Sequence, residues 1–173
     1  ESNTAVGLQA GMSITTGNFN SILGSYCADA ITTGTKNIAI GGEALTDATS
    51  GSNSIAIGYQ ALKANNSNSM TAVGYLALKA NTSGTETVAV GPWAGQSQTT
   101  ASKNVYIGSS CGSSATTSSS NVGIGADVLQ NITDTGYQTA VGAFSMRDTT
   151  SGYGNTAVGY AALKSNTTGG NNV

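Results

Sequence analysis

A pentapeptide of the type Asn-Thr-Ala-Val-Gly recurs through the whole chain at a fixed spacing. Its final glycine stands at Gly7, Gly24, Gly41, Gly58, Gly74, Gly91, Gly108, Gly125, Gly142 and Gly159. Successive glycines are 17 residues apart, apart from one interval of 16 residues. A short and constant period is typical of solenoids, in which each unit is stacked on the next. Residues 1–173 are therefore predicted to form one repeat array.

The residues before each repeat glycine predict a β-strand. The position directly before it is aliphatic in all ten units: Val6, Leu23, Ile40, Ile57, Val73, Val90, Ile107, Ile124, Val141 and Val158. The position before that is alanine in seven units: Ala5, Ala39, Ala56, Ala72, Ala89, Ala140 and Ala157. β-Branched side chains favour strands, and neighbouring strand residues point to opposite faces. We interpret the aliphatic column as facing the coil interior, and the alanine column as packing against another backbone.

Two large side chains interrupt the alanine column. Tyr106 is followed one unit later by Gly123, and this exchange of volume is one that cores tolerate. Ile22 has no comparable neighbour in this column, and the sequence offers no explanation for it.

The remainder of each unit predicts a second apolar segment and a polar turn. Four residues after the glycine, six units carry a large apolar side chain: Leu45, Leu62, Leu78, Leu129, Met146 and Leu163. Eight residues after the glycine, nine units carry threonine: Thr15, Thr32, Thr49, Thr82, Thr99, Thr116, Thr133, Thr150 and Thr167. Glycine follows two residues later in six units, and Thr-x-Gly segments favour turns. Ten such coils, stacked at about 4.8 Å, would give a rod roughly 48 Å long.

Two stretches carry a resemblance to a known family. NSIAIGYQAL (residues 53–62) and NTAVGYAAL (residues 155–163) resemble the head repeats of trimeric autotransporter adhesins, and SNTTGGNN (residues 165–172) is similar to repeats of bacteriophage tail fibres. The resemblance implies an all-β, left-handed parallel β-roll, or β-solenoid, whose three chains join side by side as a homotrimer. In such a trimer the alanine column would face the neighbouring chains. The family's units are often shorter than 17 residues, which implies a longer outer turn here.

Composition argues against several classes of function. Only 8% of the residues are charged, the net charge is -2, and histidine is absent. This charge is too small to attract a nucleic acid, and the commonest general base and metal ligand are both missing. No apolar run reaches the roughly 20 residues of a membrane helix, so we expect no membrane insertion by this segment. We therefore predict that the chain is not an enzyme, with no catalytic residue, no cofactor and no metal.

The two cysteines are predicted to be buried, unpaired side chains. Cys27 and Cys111 both lie three residues after a repeat glycine, in a column held mostly by alanine. Five coils separate them, which corresponds to roughly 24 Å. A disulfide requires Cα atoms within about 7 Å, so the two cannot be joined within one chain.

One surface is a candidate for contact with a glycan. Tyr59 and Tyr75 directly follow repeat glycines in adjacent units, and Lys63 and Lys79 lie four residues further on in the same units. Tyrosine is amphipathic and frequent in such contacts. The alternative is a solvated face in which the aromatic rings merely stack on one another.

These features favour a structural and adhesive segment of an extracellular trimeric fibre. The fibre would be a phage tail fibre on the virion or an adhesin on a bacterial cell surface, attaching to a host glycan or protein receptor. Because the pentapeptide is in phase from Asn3 and begins again at Asn172, we expect a fragment of a longer fibre. The alternatives are a glycan-binding or an ice-binding β-solenoid. The adjacent threonine columns point to opposite faces, which disfavours the flat threonine surface that ice binding requires.

Overall fold

The computed structural model describes residues 2–173 as a parallel β-solenoid. Each unit contributes one three-residue strand: β1 (Thr4–Val6), β2 (Ser21–Leu23), β3 (Ile38–Ile40), β4 (Ile55–Ile57), β5 (Thr71–Val73), β6 (Val88–Val90), β7 (Val105–Ile107), β8 (Val122–Ile124), β9 (Thr139–Val141) and β10 (Thr156–Val158). The strands form one sheet in chain order, and every neighbouring pair is parallel. The all-β solenoid prediction is confirmed. Ten strands delimit nine complete turns, rather than ten full coils.

The predicted orientation of the strands is wrong. Ala72 and Ala89, at the centres of β5 and β6, are completely buried, whereas Val90 is 36% exposed. The centre of each strand faces the coil interior and its two ends face outward, as the burial of β6 shows. The alanine column is therefore not a surface for neighbouring chains. It is restricted to small side chains because the coil is narrow and the leucine column packs against it from the opposite wall.

The second segment of each unit is not a strand. Two of its positions, two and four residues after the repeat glycine, have left-handed backbone conformations in every coil, as Gln60 (φ 54°) and Leu62 (φ 50°) illustrate. A third left-handed position lies five residues before the next glycine, as at Lys36 (φ 58°). No β-branched residue occupies any of these three columns, because such residues are strained at positive φ. Hydrogen bonds between coils nevertheless continue here, from Leu62 N to Ala77 O (3.0 Å), for example.

A ladder of buried amides stabilises the polar side of the coil. Asn37 Nδ2 donates to the carbonyl of Gly51 (2.8 Å), and Asn37 Oδ1 accepts from the backbone N–H of Ser54 (3.0 Å). The equivalent carbonyl in each of the ten units accepts from an Asn or Gln side chain. This ladder explains the asparagine of the pentapeptide, since a buried carbonyl without a partner would be costly.

In the 16-residue coil, a side chain supplies a hydrogen-bond acceptor that the backbone supplies in the longer coils. In most units the carbonyl of the polar-turn threonine accepts from the coil before it, as Thr49 O accepts from the N–H groups of Thr32 and Thr33. The short coil has Asn66 at this point. Its Oδ1 accepts from Thr49 N (2.7 Å), Thr49 Oγ1 (2.9 Å) and Ser50 N (3.4 Å). The Asn66 amide oxygen thus takes the place of the threonine backbone carbonyl. The coil that lacks one residue therefore still hydrogen-bonds to the coil before it.

Candidate functional site

The outward face of the sheet is a continuous apolar strip. The second outward residue of every strand is aliphatic, and the first is aliphatic in five of the ten strands, as in the pairs Ile38 with Ile40 and Val88 with Val90. Residues of successive strands align in register, so that Ile40 lies beside Ile57 and Val73 beside Val90. Many of these side chains are more than a third exposed, although a solvated strand face would ordinarily be polar.

The candidate tyrosines form a three-ring ladder with a tryptophan. Tyr59 and Tyr75 are stacked at a centroid distance of 5.8 Å, and Tyr75 meets Trp93 edge to face at 5.6 Å. All three rings are 40–46% exposed. Trp93 was missed from the sequence because it lies two residues after its repeat glycine rather than directly after it. The single proline, Pro92, occupies the tyrosine position in that unit.

Glu43 joins the aromatic ladder to the lysine column. Its carboxylate accepts from Tyr59 Oη (3.2 Å), Gln60 Nε2 (2.8 Å) and Lys63 Nζ (3.2 Å). The Gln60 amide, followed by the Lys63 ammonium, holds the pKa of Glu43 below its ordinary value. Partial desolvation, followed by the hydrogen bond to Glu43, raises the pKa of Tyr59. The structure therefore brings Tyr59 and Lys63 together through a residue that sequence reasoning had not assigned to this surface.

Lys63 and Lys79 also line a surface groove of about 480 Å³. The groove crosses four successive coils and is lined by Asp47, Lys63, Ala64, Lys79, Ala80, Gln96 and Ser97. All of these residues lie five or six positions after their repeat glycines, so two adjacent columns of the repeat form the groove. The four residues of the sequence-based candidate, Tyr59, Lys63, Tyr75 and Lys79, thus belong to two adjoining features, a ladder and a groove.

A second aromatic and basic cluster lies toward the C-terminal end of the rod. Phe144 and Tyr160 meet edge to face at 5.8 Å, and Arg147 and Lys164 each lie 5.9 Å from the Phe144 ring centre. Arg147 forms an ion pair with Asp148, in which Nε donates to Oδ1 (2.8 Å). That pairing raises the pKa of Arg147 and lowers the pKa of Asp148. Because Arg147 is held by Asp148, this cluster is a poorer candidate for ligand contact.

The cysteines and threonines occupy structural positions. Cys27 and Cys111 are buried and unpaired, as predicted, and burial raises the pKa of their thiols to about 11 and about 12 respectively. The threonine column hydrogen-bonds along the rod, with Thr15 Oγ1 donating to Thr32 O (3.1 Å). On the outward strand face, threonine appears only at the first position, in Thr4, Thr71, Thr139 and Thr156. The paired threonine columns expected for ice binding are not formed within residues 2–173.

Among residues 2–173, no three His, Cys, Asp or Glu side chains come together as a metal site would require. The same residues contain no helix that is long and apolar enough to cross a membrane. Comparisons of the chain with protein-family models, with curated proteins and with solved structures return no match.

Proposed function

We propose that this chain is a structural and adhesive segment of an extracellular fibre, of the phage tail-fibre or bacterial surface-adhesin type. In the fibre, three copies form left-handed parallel β-rolls that join side by side and serve to attach the particle or cell to a surface. The observation that carries this proposal is the apolar outward face of the ten-stranded sheet. The resemblance of the repeats to trimeric adhesin heads and tail fibres supplies the number of copies and the setting.

The size of the apolar face argues for a protein partner. Fifteen of the twenty outward strand positions are aliphatic, many of them more than a third exposed, and together they present on the order of 1,000 Å² per chain. The largest apolar patch on a monomeric protein is ordinarily about 300–600 Å². A stable interface buries about 800 Å² on each partner, which this face can supply.

Regular spacing makes a second copy the natural occupant. Every coil presents an aliphatic side chain at the second outward position, so a second copy running alongside would meet the same column at the same rung spacing. Hydrogen bonds between coils run the whole length of the rod, which favours a stiff element that separates or presents other parts of a fibre.

Analytical ultracentrifugation of the purified chain tests the assembly. The wild-type protein is expected to sediment at three times the 17.1 kDa chain mass. The double variant Val90→Asp/Ile107→Asp introduces carboxylates on the outward face and should sediment as a single folded chain, with an unchanged far-ultraviolet circular dichroism spectrum. Ser83→Asp, on the exposed polar turn, is the matched control and should remain assembled.

Two results would contradict the proposal. One is a wild-type protein that sediments as a single chain at concentrations well above 0.1 mM, where even a weak assembly should form. The other is a Val90→Asp/Ile107→Asp protein that keeps the wild-type mass, because the interface would then lie on another face.

A further inference from the structure

Four polar side chains in the groove have no partner within the part of the chain that the structure describes. Asp47, Lys79, Gln96 and Ser97 make no side-chain hydrogen bond and no ion pair within residues 2–173. In contrast, the neighbouring Glu43, Gln60 and Lys63 side chains bond to one another. The groove therefore presents unused donors and acceptors, while its immediate border is fixed by hydrogen bonds.

The charges in the groove favour a polar but uncharged ligand. Lys63 is neutralised by Glu43, which leaves one carboxylate, Asp47, and one ammonium, Lys79. A strongly anionic ligand would meet Asp47 and Glu43, and a cationic ligand would meet the lysines. A sugar hydroxyl both donates and accepts, so it can use a carboxylate, an ammonium, an amide and a hydroxyl together. The alanine methyl groups of Ala64 and Ala80 give the groove an apolar floor.

The aromatic ladder lies on the same turns as three of the groove residues, Lys63, Lys79 and Gln96. The Tyr59 hydroxyl donates to the Glu43 carboxylate, which also accepts from Lys63 in the groove wall. Trp93 belongs to the same turn as Gln96, because Gln96 N donates to Trp93 O (3.2 Å). Amphipathic rings next to convergent hydrogen-bonding groups provide both parts of a sugar-binding surface, an apolar patch for C–H groups and polar atoms for hydroxyls.

We propose that this groove binds a neutral oligosaccharide that lies along the rod axis. Lys79, Asp47, Gln96 and Ser97 hydrogen-bond its hydroxyl groups, and the Tyr59, Tyr75 and Trp93 ladder contacts its apolar edges. The groove volume of about 480 Å³ falls within the usual range for ligand clefts. Four coils span about 14 Å at the ordinary rung spacing, which accommodates a few sugar rings rather than one. The groove and the outward strand face share no residue, so variants of one can be tested separately from variants of the other.

The only tryptophan of the chain makes the test direct, since Trp93 lies in the ladder. An array carrying maltohexaose, cellohexaose and chitohexaose, beside hexagalacturonate and a heparin hexasaccharide, should retain the protein on at least one neutral sugar. Titration with that sugar should change the Trp93 fluorescence in a saturable way. Lys79→Ala, Gln96→Ala and Tyr75→Ala should each weaken binding tenfold or more.

Matched controls come from the same repeat positions outside the groove. Lys164→Ala corresponds to Lys79→Ala, and Tyr160→Ala corresponds to Tyr75→Ala, so both controls should bind like wild type. The proposal is overturned if no probe is retained, if only the acidic probes are retained, or if the control variants lose as much affinity as the groove variants. Sedimentation of the same samples reports the trimer separately, so failure of one proposal is distinguishable from failure of the other.

Discussion

The coils around Ala72 and the coils around Tyr106 fill the same interior in opposite ways. Ala72, at the centre of β5, is buried between turns that carry Leu62 and Leu78. Tyr106, at the centre of β7, is also completely buried, but the equivalent turn positions are Gly95 and Gly112. A Cβ on Gly112 would lie 2.5 Å from Tyr106 Cε1, and a Cβ on Gly95 would lie 3.1 Å from Tyr106 Cδ2. The strand centre and the turn therefore share one volume, and either can fill it.

The same exchange explains Ile22, for which the sequence offered no reason. A Cβ on Gly11 would lie 3.0 Å from Ile22 Cδ1, so this large strand residue also faces a glycine of the turn column. The glycine that matters for Tyr106 is likewise in the turn. Gly123, its register partner, makes room for Cys111 Sγ instead, which would lie 2.7 Å from a Cβ on Gly123. Volume is thus conserved across the coil rather than along the strand column.

The buried amides show a polar version of this exchange. The carbonyl of Gly51 is bonded by Asn37, 14 residues before it, whereas the carbonyl of Gly84 is bonded by Asn81, 3 residues before it. The two alternative positions are 11 residues apart and adjacent in space, as the contact of Gln98 Nε2 with Thr87 Oγ1 (3.4 Å) shows. Where one position carries the amide, the other usually carries a smaller or apolar residue. Each buried carbonyl therefore needs one amide, from either position.

Among the variants that test this comparison, removal of the Tyr106 ring should lower the free energy of unfolding the most. Tyr106→Ala would leave a cavity that Gly95 and Gly112 cannot fill, and should lower the free energy of unfolding by about 3–5 kcal/mol. Chemical denaturation monitored by circular dichroism measures it. Tyr106→Phe is the control. The hydroxyl is buried and makes no hydrogen bond within residues 2–173, so its removal should leave stability equal or higher. A loss of less than 1 kcal/mol for Tyr106→Ala would show that the ring does not fill the coil.

A large side chain at Gly112, placed while the Tyr106 ring is present, should lower the free energy of unfolding by a smaller amount. Gly112→Leu places a side chain against Tyr106, and overpacking of this kind costs about 1–3 kcal/mol. The backbone itself accepts leucine, because Leu62 and Leu78 adopt similar left-handed conformations. The triple variant Tyr106→Ala/Gly95→Leu/Gly112→Leu would convert this region into the Leu62 type and should recover most of the stability. If the triple variant is no more stable than Tyr106→Ala, the two regions are not interchangeable.

The repeat made the solenoid predictable, but it did not make the strand orientation predictable. β-Branched residues indicate a strand without indicating which face is buried, and both faces here are apolar. One signal was available: Thr4, Ser21, Thr71, Thr139 and Thr156 lie two residues before the aliphatic column, and so share its face. Their polarity marks that face as outward, which the structure confirms. The asparagine that opens the pentapeptide lies on the alanine face, where its amide is buried.

The candidate site was predictable only in part, for a geometric reason. Tyr59, Tyr75, Lys63 and Lys79 follow directly from the repeat columns. Trp93 and Glu43 belong to the next column, where the left-handed backbone redirects the side chain toward the neighbouring coil. No spacing rule for regular strands predicts such a contact. The groove itself arises from four coils in stack, and its unpaired side chains are visible only once those coils are in register.

The amide exchange can be tested by moving one buried amide from position 37 to position 48. Asn37→Ser leaves the Gly51 carbonyl and the Ser54 N–H without their partner, and a buried unsatisfied group costs about 1–3 kcal/mol. Adding Ala48→Asn places an amide at the alternative position for the same carbonyl, as Asn65 does for Ser67 in the coil that follows. The double variant should regain at least half of the lost stability in thermal denaturation. Equal stability of the single and double variants would contradict the exchange.

A substitution in the 16-residue coil should lower the free energy of unfolding by a smaller amount. Asn66→Ala removes the acceptor that replaces a backbone carbonyl for Thr49 and Ser50, but these groups are exposed and water can take its place. We expect a loss of about 0.5–1.5 kcal/mol, typical of one hydrogen-bonded group. Asn68→Ala, whose Oδ1 accepts only from Ser52 N, is the control and should lose less. Hydrogen exchange at Thr49 and Ser50 should accelerate in the Asn66 variant alone, and unchanged protection would exclude the proposed role.

The smallest predicted effect concerns the two thiols at high pH. Burial raises the pKa of Cys27 to about 11 and that of Cys111 to about 12, whereas a thiol in the unfolded chain titrates near 8.5. The folded state therefore holds its thiol protons more tightly, so this contribution to stability is complete below about pH 8.5 and declines as the pH rises toward the folded values. Cys27→Ala/Cys111→Ala should show a weaker decline between about pH 8.5 and 11, because alanine occupies the same column in most other coils. Unfolding curves at several pH values for both proteins measure the difference. Identical pH dependence would mean that the thiols do not titrate differently on folding, and that their burial in the alanine column is incomplete in solution.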